Sequence, residues 1–204
     1  MPEDPRARAA AALRRLGHAM MGHEADAALL ERVADAADRV ASELEAQPAR
    51  TRDVLELKRR MFDIEVPDGT EVVHFDECFV SGPFNPMGIA IRVRREGDEA
   101  VARVRLGPAF EGAPGRSHGG IVAAVFDDVL GYVLTLLQEP GFTGELTVRY
   151  LAPTPVEQPL EFRARLVDRD GRKLYMEAVA TADGQTVATA HATFVTIDPA
   201  RFRR

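Results

Sequence analysis

The stretch "GRSHGGIVAAVFDDVLGYV", residues 115–133, decides how the rest of the chain is arranged. A histidine and two glycines lead into an almost wholly apolar run. Two adjacent carboxylates, Asp127 and Asp128, stand in its middle. Between Gly119 and Leu137 the apolar residues, among them Val122, Val125, Phe126, Val129, Leu130 and Val133, fall on every side of a helix. That distribution predicts a helix buried nearly all round. The preceding "GAPGRS" (112–117) is turn-forming, so the helix begins near His118–Gly120. Its first N–H groups have no partner within the helix and point out of the N-terminus, where they favour negative charge such as an oxyanion. Glycine there lets a ligand carbonyl come close to the backbone.

An ionised carboxylate in such a helix is costly unless it is paired or faces a cavity, and aspartate is a mediocre helix former. Each aspartate is therefore held by groups elsewhere in the chain, turned to solvent, or placed as a general base or nucleophile lining a cleft. The eight residues from Gly119 to Asp127 span about 12 Å of helix at ~1.5 Å per residue. Reacting atoms must come within roughly 3–3.5 Å. One helix cannot easily bring both groups to one carbonyl, whereas two antiparallel copies related by a two-fold axis can. If these groups cooperate, the site lies between subunits.

Around the helix the hydrophobic period is that of strands. "EVVHFDECFV" (71–80), "GIAIRVRR" (88–95) and "EAVARVRLG" (99–107) precede it, with "VSGPFNPMG" (80–88) as a loop and "EGD" (96–98) as a tight hairpin connection. "GELTVRYLA" (144–152), "PLEFRARLVDR" (159–169), "KLYMEAVATAD" (173–183) and "TVATAHATFVTI" (186–197) follow it through short connections, two of them Asp-Gly turns. Three strands, one helix and four meandering strands predict an α+β fold, an antiparallel sheet wrapped around a central helix. Residues 6–62 read differently, being rich in Ala, Leu, Glu and Arg. Val33, Ala37, Val40 and Leu44 form one apolar stripe that either the rest of the chain or a partner must cover, "QPAR" (47–50) ends that helix, and "DVLELKRRMFD" (53–63) predicts another. The expected organisation is a helical N-terminal extension over 1–65 and an α+β domain over 70–198.

The 204 residues are 46% hydrophobic and 28% charged, with net charge −6, so there is a real core and no broad basic face for nucleic acid. Cys78 is the only cysteine, which rules out an internal disulfide and a cysteine-based zinc cluster and makes a reducing, cytoplasmic setting the default. Acidic residues at the N-terminus speak against a transit peptide. No stretch approaches the roughly 20 apolar residues of a membrane span, so a soluble protein without a membrane partner is expected.

"HGGIVAAVFDDVLG" resembles the signature of hotdog-fold acyl-CoA thioesterases of the PaaI-like branch, in which an Asp follows the His by nine residues: here His118, Gly119, Gly120 and Asp127. "FEGAPGRSHGG", "GELTVRYLAPTP" and "DGRKLYMEAVATADGQTVATAHATF" are similar to further segments of the thioesterase superfamily member 4-like members. The resemblance covers about residues 75–198. It implies a hotdog fold and hydrolysis of an acyl-CoA thioester, with coenzyme A as part of the substrate and no separate cofactor or metal. It also implies a homodimer, with a dimer of dimers as the larger assembly.

Carried over, the base or nucleophile is Asp127, the carbonyl-polarising N–H is that of Gly119, and the assisting hydroxyl on the next strand is Thr143. His118 orients the helix start, and Asp128 is a supporting carboxylate. Some members carry Asn or Gln six residues before the His; that position is Gly112. Coenzyme A contacts fall on Arg172 and Lys173, with Gly120 and Asn85 lining the cleft and Arg149 and Arg116 as weaker candidates; the competing role of Asn85 is to hold its own turn. The competing reading is a non-catalytic acyl-CoA binding or sensing protein. A hotdog hydratase would need a catalytic His with Asp or Glu in a different arrangement, which is not found.

Overall fold

The computed structural model describes residues 4–51, 65–72 and 74–197. The helix expected at residue 119 runs over Gly119–Leu136 (α3) and packs on the inner face of one antiparallel sheet. The sheet is built from β1 (Glu71–Val72), β2 (Val93–Glu96), β3 (Glu99–Arg105), β6 (Gly141–Tyr150), β7 (Pro159–Asp170), β8 (Lys173–Ala182) and β9 (Gln185–Thr196). Their order is β1-β2-β3-β7-β8-β9-β6, so the strand leaving the helix forms one edge. Two-residue turns set the register where they occur. Asp183 and Gly184, both at positive φ (47° and 76°), close β8 onto β9 with Ala182 opposite Gln185.

Alternation fills the core from both layers. Leu174, Met176, Ala178 and Ala180 of β8 and Ala188, Ala190, Ala192 and Phe194 of β9 all point inward and are buried. Phe126 of α3 meets Phe162 of β7 edge to face, with ring centroids 5.1 Å apart. Such pairs add about 0.5–1.5 kcal/mol beyond burial. By length and composition α3 is apolar enough to cross a membrane, a correction to the expectation that no stretch comes near one. Half of it is buried by the sheet, which accounts for its apolar composition.

The helix is not buried all round. Gly120 and Asp127 are exposed and Ala123, Ala124 and Gly131 are half-buried, so one face of α3 lies open in the single chain. Two further expectations need correction. Of the strand expected over 71–80, only Glu71–Val72 pairs in the sheet, and residues 75–80 fold into tight turns against α3. The loop at 112–117 is instead a small hairpin, β4 (Glu111–Ala113) with β5 (Arg116–Ser117), preceded by a 3-10 turn at Pro108–Phe110.

Two helices precede the sheet. In α1 (Pro5–Gly22), Asp4 caps the N-terminus by accepting from the Arg6 N–H, and the helix packs on the 3-10 turn. In α2 (Ala27–Glu45), Asp26 caps the start and no residue is buried. Its stripe is left uncovered by the described residues, with Val40 and Leu44 exposed. The helix expected over 53–63 lies outside the described residues.

Candidate active site

His118 closes the start of α3 as its N-cap, with its Nδ1 accepting from the Gly120 N–H at 3.0 Å. An imidazole acceptor at this position satisfies one of the orphan amides. The Gly119 N–H beside it has no acceptor among the described residues. It is the donor left free at the positive end of the helix dipole. Gly119 is pinned from the other side, where the Tyr150 hydroxyl at the end of β6 donates to its carbonyl at 2.7 Å. Tyr150 escaped the sequence reading because nothing local marks a strand residue that meets a helix start 31 positions earlier. A cleft of about 360 Å³ opens here, lined by Arg116, Ser117, Gly119, Val122, Tyr150 and Thr154 among others.

Two turns of helix further on, Asp127 and Thr143, the pair carried over from the resemblance, come together. The Thr143 hydroxyl donates to Asp127 Oδ1 at 2.9 Å. Gly144 makes this contact possible: a bulge between Thr143 and Glu145 bends β6 at that point. Both side chains are exposed in the single chain. A carboxylate held by one hydroxyl and otherwise open is available for proton transfer or attack.

Asp128 points the other way, into the turns of residues 75–82. The Cys78 thiol donates to its Oδ1 at 3.2 Å, while Oδ2 and Ser81 Oγ are buried without a partner among the described residues. Burial pushes the Asp128 carboxyl above the usual range, the Asp127 charge adds to this, and the adjoining Ser81 and Cys78 groups oppose it. Asp128 therefore anchors a loop and does not face the open side of the helix. On the same flank His74 stacks on Tyr132 with ring centroids 3.4 Å apart, and its Nε2 bonds the buried Thr135 hydroxyl. Burial lowers the His74 pKa to about 3, so the ring is neutral.

Gly112 has a steric explanation. A Cβ there would lie 2.8 Å from His118 Cα and 3.0 Å from its Cβ. A longer side chain at position 112 would meet the His118 backbone. Asn85, expected to line the cleft, holds its own turn: its amide donates to the Glu77 carbonyl and its Oδ1 accepts from the Met87 N–H. Arg172 and Lys173 are exposed on the β7–β8 turn, where Leu174 and Thr143 both lie in register with Phe194. They stand at the Asp127 end of the sheet, with Tyr150 and Gly119 at the other. Arg149 is exposed on the outer side of β6.

Residues 115–189 match the family model described as the thioesterase superfamily. The crystal structure of a thioesterase superfamily protein superposes with a TM-score of 0.79 at 29% identity, covering 95% of this chain and 96% of its own. Acyl-coenzyme A thioesterase THEM5 from Mus musculus is 33% identical over 90 residues, 44% of this chain and 36% of that protein. Acyl-coenzyme A thioesterase THEM4 from Bos taurus is 27% identical over 127 residues, 60% of this chain and 52% of the relative. The chain thus matches between about a third and a half of these two relatives' lengths.

Proposed function

We propose that this chain, whose residues 115–189 match the thioesterase superfamily, hydrolyses an acyl-CoA thioester to a free acid and coenzyme A, at a site completed by a second copy. One observation carries the reading: an exposed, hydroxyl-held Asp127 and a free Gly119 amide lie on one open helix. They are separated by about 12 Å of helix at ~1.5 Å per residue.

Edge strand β6 runs back along α3, with Thr143 beside Asp127 and Tyr150 beside Gly119. A second β6 laid antiparallel to the first and centred on Thr147 sets Tyr150 opposite Thr143, because Gly144 is bulged out of the ladder. The amide of one copy then approaches the carboxylate of the other. In that arrangement the thioester carbonyl oxygen accepts from the Gly119 N–H. Asp127 of the second copy, oriented by Thr143, takes a proton from water as the water oxygen bonds to the carbonyl carbon. Collapse of the tetrahedral intermediate breaks the C–S bond, and the departing sulfur takes the proton back from Asp127. A base of this kind contributes roughly 10²–10⁴-fold and an oxyanion donor roughly 10²–10³-fold.

Arg172 and Lys173 are the cations offered to the coenzyme A phosphates, and no cofactor beyond the substrate is invoked. The lone Cys78 fits a reducing, cytoplasmic location. The test is coenzyme A release from a panel of acyl-CoAs by wild type and Asp127→Asn. Turnover is expected to fall at least 100-fold in the variant with unchanged melting temperature, the scale of a lost general base. Equal turnover sinks the assignment. The glycine at position 112 favours a second reading, a protein that binds acyl-CoA without cleaving it. Tight binding with no release by wild type would select that one.

A further inference from the structure

We propose that helix α1 sets the direction of the Gly119 amide through His18, which makes His18 a positioning residue for the thioester carbonyl; the catalytic part of this rests on the thioesterase reading above. An unbroken line of contacts joins the two. His18 Nδ1 accepts from the Ala109 N–H at 3.1 Å, across 91 positions of sequence, and its ring meets Phe110 edge to face at 5.0 Å. The Phe110 carbonyl in turn accepts from the His118 N–H at 2.8 Å. His118 Nδ1 then accepts from the Gly120 N–H, leaving the Gly119 amide as the free donor. The 3-10 turn at Pro108–Phe110 thus links an extension helix to the N-cap of α3.

The contacts are tight where they must transmit position. A Cβ on Gly107 would lie 2.6 Å from His18 Nδ1, so only glycine admits the ring. Gly22, the last residue of α1, sits where a Cβ would be 3.2 Å from Pro108 Cγ. A Cβ on Gly112 would lie 2.8 Å from His118 Cα, so this position too admits only glycine. The helix itself is fixed to the body by Arg14, whose Nη1 donates to the carbonyls of Asn85 at 2.7 Å and Pro83 at 3.1 Å. Acting as an acceptor requires an unprotonated Nδ1. Burial, then the Arg14 charge, hold the His18 pKa below its ordinary value against the pull of Glu157. Oxyanion donors act by preorganised direction, so a small rotation of this amide changes the barrier more than it changes substrate binding.

Two variants of the full chain separate position from stability. His18→Phe keeps a ring on Phe110 and removes the acceptor; His18→Asn keeps an acceptor oxygen near the place of Nδ1. His18→Phe is expected to lower kcat roughly tenfold with KM within about twofold, and His18→Asn to restore most of it. In ¹H–¹⁵N spectra of glycine-labelled protein, the Gly119 and Gly120 amides should shift in His18→Phe and return toward wild type in His18→Asn. This readout needs no turnover, so it stands apart from the thioesterase reading, whose failure is equal turnover of wild type and Asp127→Asn. Unmoved glycine amides, or a lowered melting temperature with unchanged kcat, overturn the proposal. Should His18→Phe not fold, Gly22→Ala carries the same test. It favours the helix while pressing on Pro108, and unmoved amides there count equally against the proposal.

Discussion

Replacing His74 by Phe should make the protein less stable at neutral pH and less sensitive to acid. The ring of His74 is stacked on Tyr132, and burial lowers its pKa from 6.5 to about 3. Between those values the unfolded chain binds a proton that the folded chain refuses. Folding stability therefore falls as pH drops below 6.5, and the loss ends near pH 3. At about 1.36 kcal/mol per pKa unit, the contribution lost between pH 7 and pH 5 is about 2 kcal/mol. Phe keeps the stack on Tyr132 and cannot titrate, but it leaves the buried Thr135 hydroxyl without its partner, at a cost of roughly 1–3 kcal/mol at every pH. Urea unfolding followed by far-ultraviolet circular dichroism at pH 7 and pH 5, at one salt and protein concentration, gives both numbers. Other groups titrate in both proteins, so the quantity of interest is the difference between the two pH-dependent losses. If the variant loses as much stability as wild type to within about 0.5 kcal/mol, a scale on which independent sites add, the neutral buried histidine is wrong.

Asp128→Asn tests the opposite sign. A folded carboxyl with a raised pKa makes stability fall as pH rises through the window above the unfolded value, so the variant should flatten the pH dependence from that side while activity persists. Thr143→Ala removes the group that orients Asp127 on an exposed surface; steady-state kinetics should show kcat reduced roughly tenfold, the scale of one lost hydrogen bond to a charged group, with little change in melting temperature. Gly112→Ala drives a Cβ into the His118 backbone, and both melting temperature and kcat should drop.

The parts of the fold legible in the sequence were those written in local pattern. The apolar density of α3 marked the central element and the Asp-Gly turns and alternation marked β7 to β9, while Asp127 and Thr143, named through the family resemblance, are in direct contact. The errors arose where distant groups decide. Residues 71–80 carry strand-forming types, yet Cys78 is drawn to Asp128, and Gly82 sits where a Cβ would lie 2.3 Å from the Cys78 nitrogen. That packing turns the chain on itself. Asn85 read as either a turn or a cleft residue, because a turn-holding amide and a ligand-holding amide have the same sequence signature, and it holds the turn. Tyr150 and His18 could not be read at all, since their partners lie in other elements. The open face of α3 escaped because Ala123, Ala124 and Gly131 fit an apolar helix in the sequence pattern yet lie only half-buried.

The bulge at Gly144 has an effect on the whole length of β6. A strand sends successive side chains to opposite faces. Thr143 is odd-numbered and Tyr150 even, so in a regular strand they would face apart. The extra residue shifts the phase once between them: Thr143 pairs with Phe194 and Tyr150 with Ala188, both of which point inward. One added residue thus puts the partner of Asp127 and the partner of Gly119 on the same side. Deleting Gly144 would leave a regular strand with an even step between them and both groups still inward, whereas deleting one residue from 145–149 while the bulge persists would turn one of them to the outer surface. The length of this edge strand is constrained modulo two, and the glycine carries the remainder.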